Sequence, residues 1–142
     1  MSQHDVLLLL GSNLGDPKKN LKIALERLEK AYCRIIRISE FHYTAPVGFL
    51  SSHEFCNVAV LATTEFSPLK LLAFIKNIEA EMGRTNDSSA TGKYEDRIID
   101  IDIVKFRTLV FQSQSLQIPH KKHLYEREFS RVLISELVQN GQ

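Results

Sequence analysis

Hydrophobic and polar positions along the chain fall into short periodic blocks separated by turn-forming residues. Val6 to Leu10 is a continuous apolar run ending at Gly11-Ser12-Asn13-Leu14-Gly15, the pattern of a central strand buried on both faces and running into a turn. Asp16 then offers an N-cap and Pro17 a first helical position, where its missing N–H costs nothing. Leu21, Leu25, Leu28 and Tyr32 recur at helical spacing and predict one stripe facing the sheet. Ile35 to Tyr43, rich in β-branched and aromatic residues, predicts a second strand that ends in the loop Thr44-Ala45-Pro46-Val47-Gly48. Phe55 to Thr64 alternates as a third strand, with Phe55, Asn57, Ala59 and Leu61 on one face and Cys56, Val58 and Val60 on the other. Ser67 and Pro68 open a second helix with the stripe Leu71, Ile75, Ile78 and Met82, and Gly83 closes it. From Arg84 to Asp96 no period holds, and a loop of that length in a compact domain is usually functional or disordered. A fourth strand follows, Leu109 to Ile118 is irregular or weakly extended, and Phe129, Val132, Leu133 and Leu137 predict a C-terminal helix. The expected fold is α+β: a ferredoxin-like β-α-β-β-α-β antiparallel sheet with helices on one face, plus the C-terminal helix.

Composition narrows this only a little. A chain of 142 residues is long enough for one core and too short for two of ordinary size, so 1–142 is expected to be a single domain. A formal net charge of +1 argues against nucleic-acid binding driven by bulk charge, and any anion site must be local. Cys33 and Cys56 lack a C-x-x-C spacing, so neither a disulfide framework nor a zinc knuckle is indicated, and a reducing cytoplasm is the expected location. Val6 to Leu10 is far shorter than the roughly 20 residues that span a bilayer, and no targeting or transmembrane segment is expected.

The chemistry concentrates in Arg97-Ile98-Ile99-Asp100-Ile101-Asp102-Ile103-Val104. Strands avoid aspartate, yet two occur here two positions apart, on one face, with Ile99, Ile101 and Ile103 on the other. Their Cα atoms would lie roughly 6.5–7 Å apart, so their carboxylates form an exposed pair that can converge on two hard cations, Mg²⁺ being the best fit. Arg97 on the same strand, after a polar loop that begins at Arg84, adds phosphate to the picture. Asn57 beside Phe55 can stack on and hydrogen-bond a flat heterocycle, or it is an edge asparagine satisfied by neighbouring backbone. His120 and His123 have an H-x-x-H spacing, but with no third ligand nearby a surface or phosphate-contacting role is favoured over a metal.

These motifs, taken in order, resemble the 6-hydroxymethyl-7,8-dihydropterin pyrophosphokinases of folate synthesis. The resemblance runs through Gly11-Ser12-Asn13-Leu14-Gly15, Thr44-Ala45-Pro46-Val47-Gly48, Phe55-Cys56-Asn57, Arg97 to Asp102, Pro119-His120 and Arg127-Glu128-Phe129. It implies transfer of the β,γ-pyrophosphoryl group of ATP to the pterin hydroxymethyl, with release of AMP. It further implies that Asp100 and Asp102 hold two Mg²⁺ ions and that Arg84 and Arg97 clamp the transferred group. ATP would also be contacted by Lys93, Tyr94, Ile103, His120 and Arg127, and the pterin by Thr44, Pro46, Val47, Phe55, Asn57 and Phe129. The implied partners are these two small molecules, with neither nucleic acid nor membrane, and a monomer is favoured.

The chain departs from the family in places. Glu95-Asp96 stand where Gly-Pro is usual before the signature arginine, Asn86 replaces an arginine, and Tyr94 takes the place of a commoner tryptophan. Lys121-Lys122 after His120 and the segment Ser88 to Thr91 are also atypical. The alternative is a catalytically impaired or noncatalytic ferredoxin-like ligand-binding module.

Overall fold

The apolar run at the start of the chain becomes the middle of the sheet. In a computed structural model, which describes residues 3–30, 33–44, 54–83 and 98–139, β1 (His4–Ser12) lies between β4 (Phe55–Thr64) and β5 (Asp100–Phe106), antiparallel to both. β2 (Cys33–Ile38) and β3 (His42–Thr44) both pair antiparallel with β4. The strand order β2-β4-β1-β5 is that of a ferredoxin-like sheet.

Strand alternation sorts the side chains between two separate cores. Val6, Leu8 and Leu10 join Val58, Val60, Ile101 and Ile103 on the face covered by α1 (Pro17–Glu29) and α2 (Pro68–Glu81), through Leu21, Leu28, Leu71 and Ile75. Both helices begin as the sequence indicates, with Asp16 accepting from the Lys19 N–H at 3.3 Å and Ser67 from the Lys70 N–H at 3.3 Å. Gly83, at φ +98°, ends α2 in a conformation that L side chains rarely adopt. On the opposite face Leu7, Leu9, Ala59 and Val104 lie under Leu133 and Leu137 of α3 (Glu128–Gln139). The expectation of helices on one face therefore holds for α1 and α2, while the C-terminal helix covers the other side. Val132, expected in its apolar stripe, is 51 % exposed. Ile134 packs against this core in its stead.

One other segment differs from the sequence reading. The stretch read as one strand from Ile35 to Tyr43 is broken, because Ser39 exchanges hydrogen bonds with Ala59 through both its N–H and its hydroxyl, each at 2.9 Å. Four steps from Ile38 to His42 then oppose three from Val60 to Asn57, as in a bulge. Leu109 to Ile118, expected to be irregular or weakly extended, contains a small ladder of β6 (Phe111–Gln112) and β7 (Gln117–Ile118). Tyr32, the last residue of the predicted α1 stripe, lies outside the described residues. No helix among the described residues is long and apolar enough to cross a membrane.

Candidate active site

Where α3 begins, the face beneath it turns from apolar to polar. The register sets Asn57, Gly11 and Asp100 side by side across three strands, and Ala59, Leu9 and Asp102 in the row below. Gly11 is required between its neighbours, since a Cβ there would lie 2.7 Å from Asn57 Oδ1. Asn57 is only 4 % exposed, yet its Nδ2 has no hydrogen-bond partner among the described residues, and neither has the buried Oγ1 of Thr44. Leaving such groups unmade costs about 1–3 kcal/mol each. Both residues line a gap of about 20 Å³, together with Phe55, Asp100, Asp102 and Phe129. That volume is about one water, against the roughly 300 Å³ at the lower end of ligand pockets, so the gap must widen to admit a flat bicyclic ring. Gly11→Ala is expected to raise the KM for a ligand read by Asn57 while leaving nucleotide affinity nearly unchanged, as paired titrations would show.

Asp102 is less free than an exposed acid. Its Oδ2 accepts from His123 Nε2 at 2.7 Å, and His123 Nδ1 contacts the buried Ser130 hydroxyl, also at 2.7 Å. His120 Nε2 lies 4.0 Å from the same carboxylate oxygen, and Arg127 Nη1 is 3.4 Å from His123 Nε2. Burial alone would raise the Asp102 carboxyl, but the hydrogen bond from His123 and the charges of His123, His120 and Arg127 outweigh it and hold the group below the ordinary carboxylate range. It is therefore charged at neutral pH. Burial, with His123 and Arg127 nearby, also lowers His120, below the ordinary imidazole value, against the pull of Asp102.

His123 corrects the sequence reading. With no third ligand nearby in sequence, a surface or phosphate-contacting position is expected, but His123 is buried and the third group is Asp102, 21 residues earlier. The cause is a π-helical turn, Lys122–Glu126, closed by the Arg127 N–H on the Lys122 carbonyl at 2.8 Å. Single π turns often mark functional sites.

Glu79, to which the sequence assigned nothing, is buried and accepts a 2.8 Å hydrogen bond from the Ile101 N–H, the backbone group between the two acids. It ties α2 to the edge strand. Glu79→Ala is expected to lower stability by about 1–3 kcal/mol by leaving that N–H bare, and Glu79→Gln, which can still accept, to recover most of it, as a pair of thermal melts would show.

The structure thus brings Thr44, Phe55, Asn57, Asp100, Asp102, Arg127 and Phe129 around one gap, with His120 beside Asp102. Ile103 is not on this face. Its side chain is buried in the α1/α2 core because it alternates with Asp102, which leaves only its backbone for a nucleotide. Pro46, Val47, Arg84, Lys93, Tyr94 and Arg97 lie outside the described residues.

The profile of 7,8-dihydro-6-hydroxymethylpterin-pyrophosphokinase (HPPK) matches residues 7–139. The chain belongs to the HPPK family. Among HPPK relatives, the 2-amino-4-hydroxy-6-hydroxymethyldihydropteridine pyrophosphokinase of Porphyromonas gingivalis is 41 % identical over 93 % of this chain and 89 % of its own length. The Bacillus subtilis protein of the same name is 32 % identical over 93 % of this chain and 77 % of its own. The structure of Plasmodium falciparum HPPK-DHPS with pteroate superposes with a TM-score of 0.60 at 18 % identity, over 98 % of this chain. This chain spans 34 % of that longer protein, and at such identity the likeness concerns the HPPK fold alone.

Proposed function

We propose that this chain transfers the pyrophosphoryl group of ATP to 6-hydroxymethyl-7,8-dihydropterin, releasing AMP, as a step of folate synthesis. The observation that carries the reading is the juxtaposition, in one gap, of an acid pair with a buried and unpartnered asparagine amide flanked by Phe55 and Phe129. One half of the gap suits a metal-bound phosphate chain and the other a flat heterocycle with a hydrogen-bonding edge.

For the pterin, Phe55 and Phe129 supply apolar faces, while Asn57 Nδ2 and Thr44 Oγ1 exchange no bond of their own for one to the ring. Pro46 and Val47 are assigned to the same subsite. Asp100 and Asp102 are assigned the metal, and the donor set fits Mg²⁺, since both side chains offer hard oxygens on one strand face and Asp102 is kept ionised. Two Mg²⁺ ions, when bound, would neutralise the triphosphate and align it with the attacking oxygen. Arg84 and Arg97 are assigned the transferred group, and Lys93, Tyr94, His120, Arg127 and the Ile103 backbone the rest of ATP. Guanidinium suits this role because its planar fork matches phosphate and stays charged.

In the reaction the hydroxymethyl oxygen bonds to the β-phosphorus and gives up its proton to solvent, while the bond from that phosphorus to the bridging oxygen breaks and the oxygen leaves with AMP. The chain's contribution is positioning and electrostatics, with α3 and the sheet keeping water from the pterin side. The reading carries with it one catalytic unit over residues 1–142, acting as a monomer in the cytoplasm. A coupled AMP-release assay with ATP, Mg²⁺ and the pterin tests it. AMP that forms only in the complete mixture supports the reading, and folded protein that releases none overturns it in favour of a noncatalytic binding module.

A further inference from the structure

We propose that Asp102, His120 and His123 form a binding site for one imidazole-seeking divalent cation of the Zn²⁺ and Co²⁺ class, filled by the free protein without nucleotide. One carboxylate oxygen and two ring nitrogens lie within 4.8 Å of one another. Imidazole nitrogen suits zinc and its neighbours, whereas Mg²⁺ prefers oxygen and keeps its waters. Ligand atoms around tetrahedral zinc, at roughly 2.0–2.1 Å from the ion, stand about 3.3 Å apart. The separations of 2.7 Å from His123 Nε2 and 4.0 Å from His120 Nε2 to Asp102 Oδ2 bracket that value, and the two ring nitrogens, within 4.8 Å of each other, need close by no more than about 1.5 Å to complete the geometry.

The surroundings favour such a site. Ser130 holds the outer nitrogen of His123 at 2.7 Å, and its hydroxyl can accept an Nδ1 proton, so a change of tautomer on metal binding moves the proton off Nε2, where Asp102 accepts it in the free protein, and turns the Nε2 lone pair to the ion. The His120 backbone is fixed by its N–H on the Val104 carbonyl at 2.8 Å, and the π turn stacks the two imidazoles with centroids 4.2 Å apart. The contact of the His123 N–H with His120 Nδ1 is long at 3.4 Å and opposes a change of tautomer only weakly. Arg127 acts against the ion, its Nη1 being 3.4 Å from His123 Nε2, but the side chain is partly exposed and can swing away. The site shares Asp102 with the Mg²⁺ pair proposed above, yet stands independently of the reaction because its occupation is measured without ATP or pterin.

The test is titration of the folded full chain with Co²⁺, followed by visible absorption, and with Zn²⁺ and Mg²⁺, followed by calorimetry. The expected result is one equivalent of Co²⁺ with the intense ligand-field bands of a four-coordinate ion, and Zn²⁺ bound about tenfold or more tighter than Mg²⁺. His120→Gln, at a partly exposed position, should weaken Co²⁺ binding about tenfold or more with little change in melting temperature. Asp102→Asn should weaken Co²⁺ binding at least as much, with a melting temperature a few degrees lower, and Arg127→Ala should strengthen binding. No tight Co²⁺ or Zn²⁺ binding by the wild type would overturn the proposal. So would binding indifferent to His120→Gln, or a sulfur-to-cobalt charge-transfer band that places the ion on Cys33 or Cys56.

Discussion

Asp102→Asn is expected to lower the rate of AMP release by about a hundred- to a thousandfold, the size of effect seen when one preorganised electrostatic contact at a reacting group is removed. Asparagine keeps the shape and can still accept from His123, so the fold should persist. The substitution removes a charge that the His123 hydrogen bond and nearby cations hold in place. Losing that charge-assisted bond costs about 1–2 kcal/mol, or a few degrees in melting temperature for a chain of this size. Activity and stability should therefore separate by a wide margin. A variant that keeps most of its Mg²⁺-dependent rate would remove Asp102 from the metal set, and one that unfolds at room temperature would make it a structural residue.

Asn57→Ala should do something less common, weakening binding without weakening the fold. The Nδ2 group is buried and makes no hydrogen bond, so its removal relieves a desolvation cost that offsets the small cavity left behind. The melting temperature should hold or rise. Pterin affinity should fall about thirty- to a hundred-and-fiftyfold, corresponding to two or three hydrogen bonds at about 1 kcal/mol each. ATP binding, measured by calorimetry on the same protein, should change less than about twofold. Equal losses for both ligands, or a marked drop in melting temperature, would mean that the amide serves the scaffold and not the pterin.

Much of this arrangement could be read from the chain because it depends on short-range periodicity. Val6 to Leu10 could only be an inner strand, Pro17 and Pro68 marked where helices begin, and the alternation of Asp100 and Asp102 with isoleucines put both acids on one face. Residues whose environment comes from far along the chain were harder. His123 is buried only because Asp102 and Ser130 reach it from either side, and the turn that delivers it carries no recognisable local pattern. Ser39 breaks a strand by bonding to Ala59, 20 residues away, in a stretch whose β-branched content argued for continuity. Glu79 carries no local signal of its role, since nothing nearby in the sequence announces that it will bind the Ile101 N–H. Ile103 followed the acids in a motif but obeys the strand's alternation.

Among the described residues the third helix is the one α-helix on its side of the sheet. Its described buried anchors are Leu133 and Leu137, worth together roughly 3–6 kcal/mol before the entropy of ordering the segment is subtracted. Arg127 and Phe129 sit at its start, and Ser130 props His123 from its first turn. Transient detachment of residues 128–139 would therefore take the pterin's Phe129 wall and the support of Asp102 away together, while the core under α1 and α2 stayed closed. In hydrogen exchange such a molecule would be two bodies, with α3 and the ligand site opening as one and bound ligand slowing both.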